Sequence, residues 1–287
     1  LKETHPYTRA FAAKGLGAIN ERAAADALLP LVAAPERAVA IEAIRSLARL
    51  REKRAAQPLL AIAQSAKAES HVRLEAVTAL GAVSADGVYD TLLDLLGDRI
   101  PAIRAAAIRS LSRLDPEGFV TVLSGLDPDT NWSVRAALAS GLGDLTAEAG
   151  MPRLRSMLDD PEPKVIPAVI AAIARLHPPD AGPLLLEQLK AADPAVRAAA
   201  ARAVGELKLP EGAAALNAAY QRSLGDSTYV ARAAALTGLR QYGADVARPV
   251  LADALADKDW AVRLHAANLL AELDSATDAR VRIRPVP

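Results

Sequence analysis

A four-point pattern recurs nine times along the 287 residues of the chain, and it limits the fold more than any other feature. With its first position called n, an apolar or small residue stands at n, n+4, n+8 and n+11. The pattern starts at Thr8, Val39, Val72, Ile103, Val134, Val165, Val196, Ala231 and Val262. Six of the eight intervals between starts are 31 residues, and the other two are 33 and 35. Steps of four, four and three return to one face of an α-helix, so each copy marks an amphipathic helix. A repeat this regular defines a stack of like units and excludes a single globular core.

Composition supports an all-α chain. Alanine, the best helix former, supplies 66 residues, while aromatics are only 3%. A β-sandwich or barrel needs β-branched and aromatic side chains to cover its pleated faces. Apolar residues reach 52% and the 34 basic and 34 acidic groups cancel, which excludes a disordered chain. No apolar run is long enough and free enough of charge to span a membrane. Cysteine is absent, so there is no disulfide frame and no thiolate metal site.

Between copies lies a second apolar cluster, ending near n−7 at Leu96, Leu158, Leu189, Leu224 and Leu255. Each unit is therefore a helical hairpin with short turns. Pro152, Pro183 and Pro249 are expected in the first turn of the first helices, where a missing N–H costs nothing. Pro167 falls inside the second helix of repeat 6 and predicts a bend or a late start there. The 35-residue interval predicts an extra turn in the helix ending near Leu224. Gly17, Gly81, Gly143 and Gly205 share position n+9, where glycine permits close helix approach.

The turns between helices carry the charges. Every repeat has an acidic residue at n−5 or n−3, and seven of nine have arginine at n+1. An aspartate there accepts free N–H groups of the second helix. The arginine fork reaches a carboxylate of its own turn or the next, which predicts a ladder through Asp98, Arg104, Asp129, Arg135, Asp193, Arg197, Asp257 and Arg263. Recurrence in nearly every repeat assigns these groups to structure and not to catalysis.

The segments Asp193–Leu207 and Asp259–Leu273 carry the pattern D-x-x-V-R-x-x-A-x-x-x-L-G-x-L or its close variant. In this the chain resembles the HEAT repeat family, and specifically the short bacterial HEAT-like repeats of the phycobilin-lyase type. The resemblance implies a right-handed α-α superhelix of about nine hairpins, the first truncated, with second helices lining the concave face. Repeats 2 and 6 depart from it, with Ala40 and Ile166 in place of arginine. One array is expected over 1–274, and an extended tail or linker over 275–287, where Val and Ile alternate with Arg before two prolines. Leu1 falls where a first helix would close, so a chain beginning inside a repeat, as a piece of a longer protein, is the expectation.

Positions n+6 and n+10 lie one turn apart on the second helix and should face the groove. They hold Lys14, Arg45, Arg49, Arg109, Arg113, Arg175 and Arg202 against Asp144, Glu206 and Glu272. This modest basic stripe suits a protein or peptide partner with acidic groups. Its competing explanation is that arginine simply solubilises an alanine-rich helix. Trp132, Tyr229 and Trp260 share n−2, and packing against the preceding helix is expected there ahead of an aromatic platform. Tyr7, Phe11, Tyr220 and Tyr242 are expected in core or end packing. His5, His71, His177 and His265 sit in separate repeats and form no metal set. No phosphate loop or nucleophile elbow occurs, and no cofactor is expected.

The reading is a non-catalytic scaffold, with end-to-end self-association open to it and nucleic acid disfavoured by zero net charge. The family suggests alternatives: the scaffold arm of a HEAT–cyclophilin prolyl isomerase fusion, a HEAT-like DNA glycosylase, or a bilin lyase.

Overall fold

The computed structural model of the chain describes residues 1–125 and 127–282. Among them are 17 α-helices and no strand. Nine second helices carry the repeat anchors: α1 (Pro6–Ala18), α3 (Arg37–Arg49), α5 (Ser70–Leu80), α7 (Pro101–Leu114), α9 (Trp132–Leu142), α11 (Ile166–Leu176), α13 (Pro194–Leu207), α15 (Val230–Arg240) and α17 (Trp260–Arg282). Between them run the first helices α2 (Ala25–Leu28), α4 (Ala56–Gln64), α6 (Val88–Asp94), α8 (Pro116–Ser124), α10 (Ala147–Met157), α12 (Ala181–Gln188), α14 (Gly212–Arg222) and α16 (Ala244–Ala254). Contacts group the chain into two units, Leu1–Gly150 and Met151–Pro287.

Local chemistry sets where helices start. At n−3, Glu69 accepts from the N–H groups of His71 and Val72 and Asp193 from those of Ala195 and Val196, capping their second helices, whereas Glu36 makes no cap bond. The n−5 aspartates do not cap. Asp98, Asp129, Asp160 and Asp257 each accept the N–H two residues on, tightening the turn before the helix begins. Pro167 is the second residue of α11 and not internal to it. That helix starts at n+1, whereas α13 starts at n−2, so the late start occurs and the missing N–H falls among groups with no helical partner.

Three expectations about helix ends are corrected. Pro152 and Pro249 lie at the sixth positions of α10 and α16, not in their first turns. Both helices begin earlier than the proline rule suggests, with Thr146 accepting from Ala149 N–H ahead of α10 and Gly243 at φ 98° ahead of α16. Pro183, the third residue of α12, follows the rule. The extended tail expected over 275–287 is helical as far as Arg282, where α17 ends; residues 283–287 lie outside the described residues. The 35-residue interval is absorbed in α14, whose 11 residues and following 3-residue 3₁₀ turn exceed the 8 of α12.

Second helices pack side by side within each unit, α1 through α9 in the first and α11 through α17 in the second. Their cores are the anchor residues. Leu47, Leu80, Leu111 and Leu142 at n+8 and Ala43, Ala76 and Ala107 at n+4 have no exposed surface. Close approach is set by small residues. A Cβ on Gly17 would meet Ser46, one on Gly81 would meet Ser110, and one on Gly205 would lie 2.4 Å from the Cα of Gly238. Position n+9 of one repeat thus packs on n+7 of the next. Ser46 and Ser110 then donate to the carbonyls of Ala13 and Val77 at 2.8 and 2.9 Å, stitching neighbouring second helices together with buried hydrogen bonds.

Candidate partner-binding face

The charge ladder runs through the turns and is structural. Several n+1 arginines donate back to their own turns, as from Arg104 to Asp98 O (2.8 Å), Arg135 to Asp129 O (2.7 Å) and Arg263 to Asp257 O (2.8 Å). The rest of the fork reaches the following turn. Arg9 meets Glu36 and Arg73 meets Asp98, both at 2.6 Å. Arg104 binds both oxygens of Asp129, Arg197 meets Asp226, and Arg232 lies 3.1 Å from Asp257. Asp193 is a helix cap and not a rung, because Arg197 turns to Asp226.

This geometry has a pH signature. The Arg104 bond, opposed by burial, holds the Asp129 carboxyl below its ordinary range. Burial would raise Asp98, but the bonds from Arg73 and Ile100 N–H outweigh it and the carboxyl is also lowered. Groups lowered in the folded state contribute stability that is complete above the unfolded pKa near 4 and is lost as pH falls through the folded values. Arg104→Met should therefore lose less stability between pH 7 and pH 3 than the parent chain, read from urea midpoints at the two pH values. An equal loss in both would show that this rung does not couple protonation to folding.

The second-helix face presents a different set of cations. Arg45 is closed off: its Nε and terminal nitrogen reach the two oxygens of Glu75 at 3.0 and 2.5 Å, and Glu42 lies 3.0 Å away. Arg109 and Arg113, one turn apart on α7, have no carboxylate partner among the described residues. Burial and the Arg113 charge both push the Arg109 pKa down, the mark of a partly desolvated cation beside a like charge. Arg49 and Arg202 are exposed and carry no ion pair among the described residues, and Arg175 is exposed.

Two clefts open between second helices. One, of about 330 Å³, lies between α1 and α3 and is lined by Tyr7, Phe11, Lys14, Ile41, Glu42 and Arg45, among others. The other, of about 460 Å³, lies between α11 and α13 and joins Arg175 and His177 to Arg202 and Glu206.

The aromatic expectations divide. Tyr220 and Tyr242 are core residues. Tyr220 donates to Asp257, and burial followed by the Asp257 charge pushes its pKa up to about 12; Tyr242 donates to the carbonyls of Val204 and Leu209. Tyr7 and Phe11 are not packed away but 67% and 72% exposed. Trp132, Tyr229 and Trp260 are likewise substantially exposed at position n−2, where each helix begins or is about to begin. Among the described residues no three His, Asp or Glu groups converge as a metal set, and no helix is long and apolar enough to cross a membrane.

Stacked helical hairpins with capped turns and small-residue seams define an α-solenoid. Five overlapping stretches, 1–70, 62–143, 120–186, 151–224 and 218–281, match the model for HEAT repeats. The chain belongs to the HEAT repeat family. No curated protein sequence matches it. Among solved structures it is similar to the YibA protein of Escherichia coli, at 20% identity and a TM-score of 0.56, over 94% of this chain and 98% of that one. It is also similar to the complex of CpcE and CpcF of phycocyanin lyase from a Nostoc species, at 20% identity and a TM-score of 0.46, over 87% and 94%. Human deoxyhypusine hydroxylase follows at 18% identity and a TM-score of 0.37, over 93% and 88%.

Proposed function

We propose that this chain is a scaffold that binds a protein or peptide partner through the face lined by its second helices, and that the partner presents acidic groups there. Its role is binding and not catalysis. The observation that carries this is the pair Arg109 and Arg113. On the same row of helices Arg45 is neutralised by Glu42 and Glu75, and in the turns the n+1 arginines meet carboxylates, as Arg104 meets Asp129. On α7 two cations stand one turn apart without a carboxylate, and one of them is half-buried. A half-buried cation beside a like charge is unfavourable in the free protein and is relieved by an incoming carboxylate, which an arginine fork takes in bidentate fashion.

Titration of a fluorescent glutamate-rich peptide at low ionic strength tests the reading. Arg109→Glu/Arg113→Glu should weaken binding at least tenfold. Arg222→Glu, an exposed arginine in the last turn of first helix α14, should leave it within twofold. Equal losses from both changes would mean that the peptide follows overall charge and not this face.

A further inference from the structure

The first unit places an apolar cleft and the unpaired arginines on one line of second helices. Phe11 sits at n+3 and Lys14 at n+6 in the cleft between α1 and α3, and Arg109 occupies that same n+6 position on α7. Between them Arg45 is neutralised by Glu42 and Glu75, and Arg49 is a single exposed cation. The cleft walls are Tyr7, Phe11 and Ile41, and Phe11 is 72% exposed. Lys14 lines it with no carboxylate partner among the described residues, while Glu42, the acid of its lining, is paired with Arg45, so the cleft joins apolar walls to one uncompensated cation. A cluster of apolar surface beside unneutralised cations fits neither an uncharged ligand nor a basic one.

We propose that the ligand of this face is a bipartite extended segment, with one bulky apolar side chain seated between α1 and α3 and a pair of acidic residues over Arg109 and Arg113. This rests on the function proposed above and names the ligand class for it. The spacing follows from the stack. The cleft and α7 are separated by two to three helix-to-helix steps of roughly 8–10 Å, a span of about 20–25 Å. An extended chain advances about 3.3 Å per residue, so about six to eight residues separate the anchor from the acids. A shorter linker cannot reach both places. A longer flexible one reaches them with a gradual loss of effective concentration.

The test uses labelled, end-blocked peptides carrying one tryptophan and two adjacent glutamates, separated by two or by seven Gly/Ser residues, in both chain orders. In at least one order the seven-residue spacer should bind tenfold or more tighter than the two-residue spacer. That advantage should vanish in Phe11→Ser and in Arg113→Glu, both exposed positions whose variants are checked for an unchanged melting curve. If both spacers bind equally while Arg113→Glu still weakens them, the bipartite ligand is wrong and the acidic-partner reading stands. If Arg113→Glu changes neither peptide, both readings fail. Sedimentation of the free chain completes the test. A concentration-dependent dimer abolished by Phe11→Ser and displacing the peptide would assign the cleft to a second copy and overturn the proposal.

Discussion

Replacing Asp257 with alanine should cost about 3–5 kcal/mol, more than any other single change in the ladder. Arg232 and Asp257 form its most buried rung, with side chains 1% and 0% exposed. The pair gains little from hydrogen bonding between its own members, because Arg232 Nε lies 3.1 Å from the carboxylate without the alignment of a hydrogen bond. Arg232 is held by the carbonyls of Ser223 and Thr228, and Tyr220 donates to Asp257 from the other side. Removing the carboxylate leaves a buried guanidinium without countercharge and a buried phenol without its acceptor. Restoring apolar packing in Tyr220→Phe/Arg232→Met/Asp257→Leu should recover part of the loss, since a buried ion pair is weakly stabilising against well-packed apolar groups, while the turn bond that Asp257 accepts from Asp259 N–H stays lost. The exposed pair Arg155–Asp180 supplies the contrast, and Arg155→Ala should cost less than about 1 kcal/mol. Urea unfolding gives all three values. A cost for Asp257→Ala no greater than that for Arg155→Ala would show that water reaches the rung.

Gly205→Ala should destabilise by about 1–3 kcal/mol, and Gly15→Ala should stabilise by about 0.5–1 kcal/mol, although both add one methyl to a helix. The sign depends on what the methyl meets. At Gly205 it would lie 2.4 Å from the Cα of Gly238 and 3.0 and 3.1 Å from that residue's carbonyl oxygen and carbon. These are backbone atoms, so the clash is relieved only by moving α15 away from α13. At Gly15 nothing lies within 4 Å, and alanine gains its ordinary helix propensity. Melting temperatures moving in opposite directions support the seam of small residues as the device that sets helix spacing. Two shifts of the same sign would remove it.

The repeat frame, the second helices and the n+9 glycines are legible in the sequence because they follow from periodicity and side-chain size. The first helices are less so. Pro152 and Pro249 point to starts that the cap chemistry of Thr146 and the backbone of Gly243 override. Which acid caps and which receives arginine is not legible either. Residues at n−5 and n−3 are equivalent as composition, and only stacking decides which carboxylate comes under the fork of the repeat before it, at n−5 for Asp98, Asp129, Asp226 and Asp257 and at n−3 for Glu36. Ser46 and Ser110 leave a trace that was readable, a serine at n+7 facing a glycine at n+9 of the preceding repeat.

The candidate face shows the same division. The arginine stripe can be read from n+6 and n+10, but its charge balance cannot. Arg45 loses its availability to Glu75, 30 residues away, and to Glu42, both at n+3 of their own repeats. No comparable acid serves Arg109 and Arg113 among the described residues, because n+3 holds alanine in the repeats of α7 and α9.

A charge exchange across that face asks whether α7 reads the partner's charges. The peptide with paired glutamates and a copy with paired lysines are titrated against the parent chain and against Arg109→Glu/Arg113→Glu. Preference should invert: the parent chain prefers the glutamate peptide, and the variant prefers the lysine peptide. If both proteins rank the two peptides in the same order, the second-helix face of α7 is not where the partner's charges are read.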